Sequence, residues 1–363
     1  YNDITSTYRA HINEILLTAL VQATKQITGK PSLSIDLEGH GREEIIEGID
    51  VSRTVGWFTS IYPVHLDIKG TETPIESLRT VKEQLRKVPN KGVDYGILRY
   101  LNQEVGDLLQ LQKQPSVSFN YLGQFNQEVN REALFKTGME LTNDNYDQDT
   151  KRGHLIDVVG IVKEGKLEFT WLYSGHQFKR STIEHIAEVF LNTLYKLIES
   201  SDMQGDYAYI SSDFSQANLS TEQIDVITNK YTEIEDIYTL APLQNGMIFH
   251  TLYDGSIGDY ITQCILTLQG NLNSGYFQTA WEYIINRHEV LRTVFSWEDG
   301  QDIHQIVCNI MPVTINELDW QYSSPKEQQS QLSELLIQDR MKVFDLQKGP
   351  LMRLYLVHCG EDI

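Results

Sequence analysis

No apolar run in this 363-residue sequence approaches the roughly 20 residues that a membrane-spanning helix needs, so no membrane partner is expected. Cysteine is nearly absent. Only Cys264, Cys308 and Cys359 occur, an odd number with no CxxC pair. That excludes a disulfide framework and a zinc ribbon, and the three are expected to be reduced core thiols of a cytoplasmic protein. The histidines are scattered without metal-ligand spacing, so no metal is expected. No P-loop occurs, so ATP chemistry is not expected here. The start, Tyr1-Asn2-Asp3, has neither a basic n-region nor a signal-peptide core, and is expected to lie inside a longer chain. Positive charge is short. The chain has 30 Lys and Arg against 50 Asp and Glu, a net charge of −20. Such a chain repels nucleic acid and anionic membranes, or its charge serves solubility alone.

What is present is ordinary globular material: 40% hydrophobic and 22% charged residues, enough for about two domains. Residues 8–27 carry Ile12, Ile15, Leu16, Ala19, Leu20, Ala23 and Ile27 at helical spacing, stopped by Gly29 and Pro31. Ser34, Asp36 and Glu38 then alternate with Leu33, Ile35 and Leu37, the pattern of a strand with one polar face. A charged surface helix is expected over 75–88. Strands are expected over 117–122, 156–162 and 167–173, the last two as a hairpin, and a helix over 181–199. The chain turns polar over 201–235, with a capping box at Ser220-Thr221-Glu222-Gln223, and this stretch is the expected interdomain segment. Beyond it strands are expected over 260–268, 293–297 and 351–358, with helices over 274–290 and 324–342. Both halves therefore read as α/β with mixed sheets.

Four clusters in the first half carry candidate chemistry. Glu38-Gly39-His40-Gly41-Arg42-Glu43-Glu44 follows a strand directly. Its carboxylate, imidazole and guanidinium suit acid–base work, and equally a solvated turn with a local ion pair. Arg53-Thr54-Val55-Gly56-Trp57-Phe58-Thr59 reads as a tightly packed strand crossing a core. Pro89-Asn90-Lys91-Gly92-Val93-Asp94-Tyr95-Gly96 is a turn-rich loop before a helix. In Ser118-Phe119-Asn120-Tyr121-Leu122-Gly123-Gln124-Phe125 the phenol of Tyr121 is either a satisfied core hydroxyl or a proton donor.

The order and spacing of these four runs closely resemble the signature series of epimerization domains in nonribosomal peptide synthetases. The likeness covers about residues 1–200. It implies a chloramphenicol-acetyltransferase-like fold. In that fold two lobes flank a tunnel for a 4'-phosphopantetheine arm, whose partner carrier protein presents an aminoacyl or peptidyl thioester for inversion at Cα. Carried onto this sequence, Glu38 matches the acid/base carboxylate and Tyr121 the tyrosine near the reacting centre. His40, Arg42, Asn120 and Trp57 match supporting positions. The family also needs an HHxxxDG motif, and this chain has no adjacent histidine pair. The expectation is a C-terminal lobe alone.

In the second half, Pro242, Leu243, Gln244, Met247 and His250 lie in an amphipathic run whose stripe reads as core packing. Arg287 and Arg292 flank a helix end and read as structural. EDIYTLAPLQNGMIFH followed by RHEVLRTVF resembles the opening signatures of condensation domains that accept a D-configured donor. The resemblance implies three parts: 1–200 as epimerization lobe, 201–235 as linker or docking segment, and 236–363 as the N-terminal part of a condensation domain. It also implies carrier-protein domains and neighbouring synthetase domains or subunits as partners, and no catalysis by this chain alone. Arg86, Lys87 and Lys91 form one local basic cluster that suits either a docking patch or a solvated helix face.

Overall fold

The computed structural model describes residues 2–125, 151–163, 165–201, 208–231, 233–253, 260–270, 272–297 and 302–360. The chain divides into two compact units, Tyr1–Ala208 and Tyr209–Ile363. The first contains α1 (Asn2–Thr7), α2 (Ile12–Thr28), β1 (Ser32–Gly39), β2 (Ser60–Asp67), α3 (Pro74–Arg86), α4 (Val93–Leu101), α5 (Gln103–Gln110), β3 (Val117–Phe125), β4 (Ile156–Lys163), β5 (Lys166–Tyr173) and α6 (Arg180–Ser201).

Its strands form one sheet in the order β2-β1-β3-β4-β5. The middle pairs β1–β3 and β3–β4 are parallel, and the outer pairs β1–β2 and β4–β5 are antiparallel. Pro63 falls in the edge strand β2, where its missing N–H costs no inner ladder bond. The expected hairpin closes at the Lys163–Lys166 pair. Ile35, Leu37, Phe119, Ile156 and Val158 turn one face of the sheet into the core. Helix α2 is buried over most of its circumference, with Leu16, Leu17 and Leu20 at 2% exposure or less. It packs against α3 and α6, and each such leucine contributes roughly 2 kcal/mol through burial. Gly29 ends α2 at φ 71°, its N–H bonded to the Lys25 carbonyl. The α6 stripe is as expected, with Ile183, Phe190, Leu194 and Leu197 buried.

Two cations of helix α3 turn inward. Lys82 is fully buried, and its ammonium donates to the carbonyls of Tyr8 (2.7 Å) and Ala208 (2.8 Å). Arg86 reaches Glu14 (2.8 Å) and the Arg9 carbonyl (2.7 Å). Arg86 is therefore engaged inside the unit rather than held in a basic docking patch.

The second unit contains α7 (Thr221–Lys230), β6 (Ile234–Thr239), α8 (Pro242–Tyr253), α9 (Ser274–Arg287), β7 (Thr293–Ser296), β8 (His304–Cys308), β9 (Ile315–Asp319), α10 (Pro325–Met341) and β10 (Leu354–His358). Strands β6-β8-β7 form an antiparallel sheet and β10-β9 a parallel pair. Of the segment 201–235, residues 202–207 and 232 lie outside the described residues. The rest carries the Ser220–Gln223 capping box and buries Ile210, Phe214, Leu219 and Ile224.

Four local expectations are corrected. The strand expected over 260–268 does not form, because none of the described strands pairs with these residues; instead Gln263 donates to the Leu336 carbonyl of α10 at 2.8 Å. The run containing Trp57 is a loop and not a core strand: Trp57 is 90% exposed and the strand begins only at Ser60. The α8 stripe is not core, for Leu243 is 77% exposed and His250 is exposed, while Ile248 is the position that packs inward. Cys264 is exposed, so only Cys308 is a buried thiol, its pKa pushed up by that burial.

Candidate functional site

Alternation along the first sheet separates apolar and polar side chains onto two faces. The face away from the helices carries Ser34, Asp36 and Glu38 on β1, Ser118 and Asn120 on β3, and Asp157 on β4. The register puts Asp36, Ser118 and Asp157 at one level across three parallel strands. Leu37 pairs with Phe119, so Glu38 and Asn120 share the next level.

Glu38 accepts a hydrogen bond from the Asn120 amide across the β1–β3 pair. It lies on the accessible face, yet the surrounding strands remove enough water to raise its pKa above the ordinary carboxylate value. The Asn120 bond pulls the other way, the Asp157 charge pushes up, and His154 pulls down. A carboxyl with a raised pKa, at the strand end and exposed, suits proton removal and return.

The level behind Glu38 is a charge chain. His154 Nε2 stands 2.7 Å from Asp36 Oδ2, and its Nδ1 stands 3.3 Å from Asp157 Oδ1. Ser118 donates to Asp157 at 2.5 Å. Arg152 pairs with the other Asp157 oxygen and donates to the Leu172 carbonyl at 3.1 Å. Sequence reasoning singled out none of Asp36, Arg152, His154 or Asp157 as site residues. The available signal was the alternation itself: Asp36 shares Glu38's face, and Asp157 is the lone acid in a mostly apolar strand.

The loop after β1 is organised by Arg42. Its guanidinium donates to the carbonyls of Val51 (2.8 Å), Thr54 (2.7 Å) and Gly56 (3.2 Å), and lies 4.2 Å from the Phe58 ring centre. Three carbonyls and a ring face are what a planar five-donor cation satisfies well. Gly41 makes this path possible: at φ +66°, a Cβ there would stand 1.6 Å from the Phe58 carbonyl oxygen. His40 Nδ1 accepts the Arg42 N–H at 3.0 Å, and its Nε2 stands 3.0 Å from Glu43. Glu43 also pairs with Lys91 at 3.0 Å, which joins this loop to the turn at 89–92. His40 and Arg42 thus shape the loop beside Glu38, and Trp57 projects from it into solvent.

Tyr121 is not brought to Glu38. Consecutive residues of a strand point to opposite faces, so Tyr121 lies with the core and Asn120 with Glu38. The Tyr121 ring packs beside Gly160, where an added Cβ would stand 3.2 Å from it and 2.7 Å from Phe169.

In the second unit Pro242 opens α8. Gln244 accepts the Ala241 N–H at 2.8 Å and donates to Gln305 at 2.9 Å. His250 has its ring 6.5 Å from that of Tyr260. Arg287 is an exposed residue in the last turn of α9. Arg292 is buried, pairs with Glu235 and donates to the Cys308 carbonyl at 2.8 Å, tying the residues before β7 to β6 and β8. Among the described residues no group of three or more His, Cys, Asp and Glu has metal-binding geometry, and no helix is long and apolar enough to cross a membrane.

The family profile named Condensation domain matches residues 1–220 and 234–362. One of the linear gramicidin synthase proteins of Brevibacillus parabrevis is 41% identical over 361 residues, covering 99% of this chain and 5% of that protein. Another protein of the same synthase is 42% identical over 352 residues, covering 96% and 7%. Bacitracin synthase 1 of Bacillus licheniformis is 33% identical over 357 residues, covering 98% and 7%. The chain thus spans about one-twentieth to one-fourteenth of these relatives' length. Among solved structures, the epimerization domain from the third module of tyrocidine synthetase B aligns with a TM-score of 0.51 at 35% identity, covering 55% of this chain and 44% of that one. The α/β layers with mixed sheets are those of a condensation/epimerization, chloramphenicol-acetyltransferase-like fold.

Proposed function

The chain belongs to the condensation-domain family, and from that premise we propose that it spans an epimerization–condensation junction of a nonribosomal peptide synthetase. Residues 1–200 are the C-terminal lobe of an epimerization domain, 201–235 the connecting segment, and 236–363 the N-terminal part of a condensation domain. The parent inverts Cα of an aminoacyl or peptidyl thioester carried on a partner's phosphopantetheine arm, then passes the D-configured donor to amide formation.

The observation that carries this reading is Glu38: an exposed carboxyl with a raised pKa, held by Asn120 on the polar face of a sheet. Thioester conjugation acidifies the Cα proton. Glu38 takes or returns that proton, and inversion follows when reprotonation comes from the opposite side of the planar enolate. Asn120 fixes the carboxyl's direction. His40 and Arg42 hold the loop that borders it. Tyr121 contributes from the core side, as packing that sets the β3–β4 register next to Asn120. The sequence contains no HHxxxDG histidine pair, and this chain alone is expected to be inactive in both steps.

The test is deuterium wash-in at Cα of an aminoacyl-carrier thioester, with this chain and with one extended upstream through a complete epimerization domain. Exchange only in the extended form, abolished there by Glu38→Gln, supports the reading. Exchange that survives Glu38→Gln removes it. A second reading, an interaction module without catalysis, is favoured by the exposed Leu243, Phe249 and Leu252 of α8. It stands if the extended form does not exchange but still binds its neighbours.

A further inference from the structure

We propose that His154 is a positioning residue for Glu38: by bridging Asp36 and Asp157 above Ser118, it fixes the charge of the polar layer that Glu38's carboxyl faces. This rests on the reading of Glu38 as the acid/base group.

The geometry is specific. Asp36 and Asp157 lie on β1 and β4, two strands apart, with Ser118 of β3 between them at the same level. Two strand spacings are about 10 Å, too far for the carboxylates to share a proton directly. The His154 ring fills that span, with Nε2 on Asp36 and Nδ1 on Asp157. A small residue at 118 leaves room for the ring to cross, and the serine hydroxyl is spent on Asp157.

The His154 hydrogen bond is Nε2 with Asp36, and Nδ1 stands at ion-pair distance from Asp157. Arg152 holds the second Asp157 oxygen, so the layer sets two carboxylates against a guanidinium and an imidazole. Without the His154 ring the negative charge of the two carboxylates is less well balanced. Glu38 lies two residues further along β1 on the same face, so its ionised form then meets repulsion. The influences on Glu38 have the matching signs, with Asp157 pushing its pKa up and His154 pulling it down. Among the described residues this face also carries His65 of β2, 2.9 Å from Ser34 and one level further from Glu38, and, beyond Val159 and Thr170, Glu168 of β5 and Lys163 and Lys166 at the hairpin end. His154 thereby favours Glu38's charged form.

The experiment is an NMR titration of the Glu38 carboxyl carbon in the 363-residue chain, for wild type, His154→Gln and Asp157→Asn. His154→Gln is expected to move the Glu38 midpoint to higher pH, and Asp157→Asn to lower pH. In the upstream-extended protein, the acid limb of the Cα-exchange profile follows the same two directions while the plateau changes less. Packing damage alone would not give shifts of opposite sign. A Glu38 midpoint unmoved by both variants, or moved the same way by both, overturns the proposal. If His154→Gln does not fold, Asp157→Asn decides by its sign. The two readings fail separately. Exchange surviving Glu38→Gln would refute the catalytic reading with the titration coupling intact, and an absent coupling would refute His154's role with Glu38 catalysis intact.

Discussion

Replacing Arg86 by Met should be among the most damaging single changes to the first unit. Glu14 is 3% exposed, and its carboxylate is held by the Arg86 guanidinium at 2.8 and 3.2 Å and by the His11 N–H at 2.7 Å. The same arginine donates to the Arg9 carbonyl. Met keeps most of the volume of the stem, so the cavity cost is small. What remains is a buried carboxylate stripped of its counter-charge, which costs about 3–5 kcal/mol. For a unit of this size each kcal/mol moves the melting temperature about 2–4 °C, so a fall of roughly 10 °C is expected. The assay is urea unfolding of the 363-residue chain followed by circular dichroism, with the midpoint falling and the slope unchanged. Adding Glu14→Gln should restore much of the loss, because a neutral amide still accepts the His11 N–H without demanding a cation. A loss under about 1 kcal/mol, or a double variant no better than the single one, would refute the argument that this pair compensates a desolvated charge.

Three further outcomes are expected. Gly160→Ala should cost about 1–3 kcal/mol, since its methyl meets the Phe169 and Tyr121 rings, and Phe169→Leu should recover part of it in the same unfolding assay. Glu38→Gln should raise stability at pH 7. The folded state raises this carboxyl's pKa, so the stability contributed by its proton is complete below the unfolded value and lost as pH rises through the folded one. The variant's advantage should therefore shrink as the pH of the melt is lowered, and an advantage that grows in acid would contradict the raised pKa. Arg42→Lys should leave the melting temperature nearly unchanged but speed proteolysis and amide exchange across residues 50–58. One ammonium cannot replace a fork that serves three carbonyls and a ring.

Much of the first unit could be read from periodicity. The α2 and α6 stripes, the β1 alternation and the Lys163–Lys166 hairpin are local patterns, and local patterns survive folding. The Glu38–Asn120 contact was half legible. The motif order nominated both residues, but it also nominated Tyr121 as a partner, and a period of two in the strand forbids Asn120 and Tyr121 from sharing a face. The charge chain behind Glu38 was invisible because it depends on register. That Asp36, Ser118 and Asp157 align is a property of the β1–β3–β4 pairing, not of any one segment. The misreading at 260–268 has the same origin. Alternation marks a segment able to form a strand, but a strand exists only where a neighbour takes its backbone groups. Trp57 shows the converse, an aromatic cluster whose place was decided by the Arg42 carbonyl contacts rather than by hydrophobicity.

The parallel centre of the first sheet also governs when the site can come into being. Glu38 and Asn120 are separated by 82 residues, and His154 reaches Asp36 across 118. Parallel neighbours cannot be joined by a tight turn, so each of these contacts closes a long loop before it returns any energy. During synthesis the β1–β2 pair can form early, exposing Asp36 and Glu38 without Asn120, His154 or Arg152. The nascent chain then carries two unpaired carboxylates on an open strand edge until β3 brings Asn120 to Glu38 and His154 reaches Asp36. That edge is polar on one face and charged, which discourages premature pairing with other chains during the wait. The site is therefore among the last features of its unit to form, and slow folding steps should be felt there first.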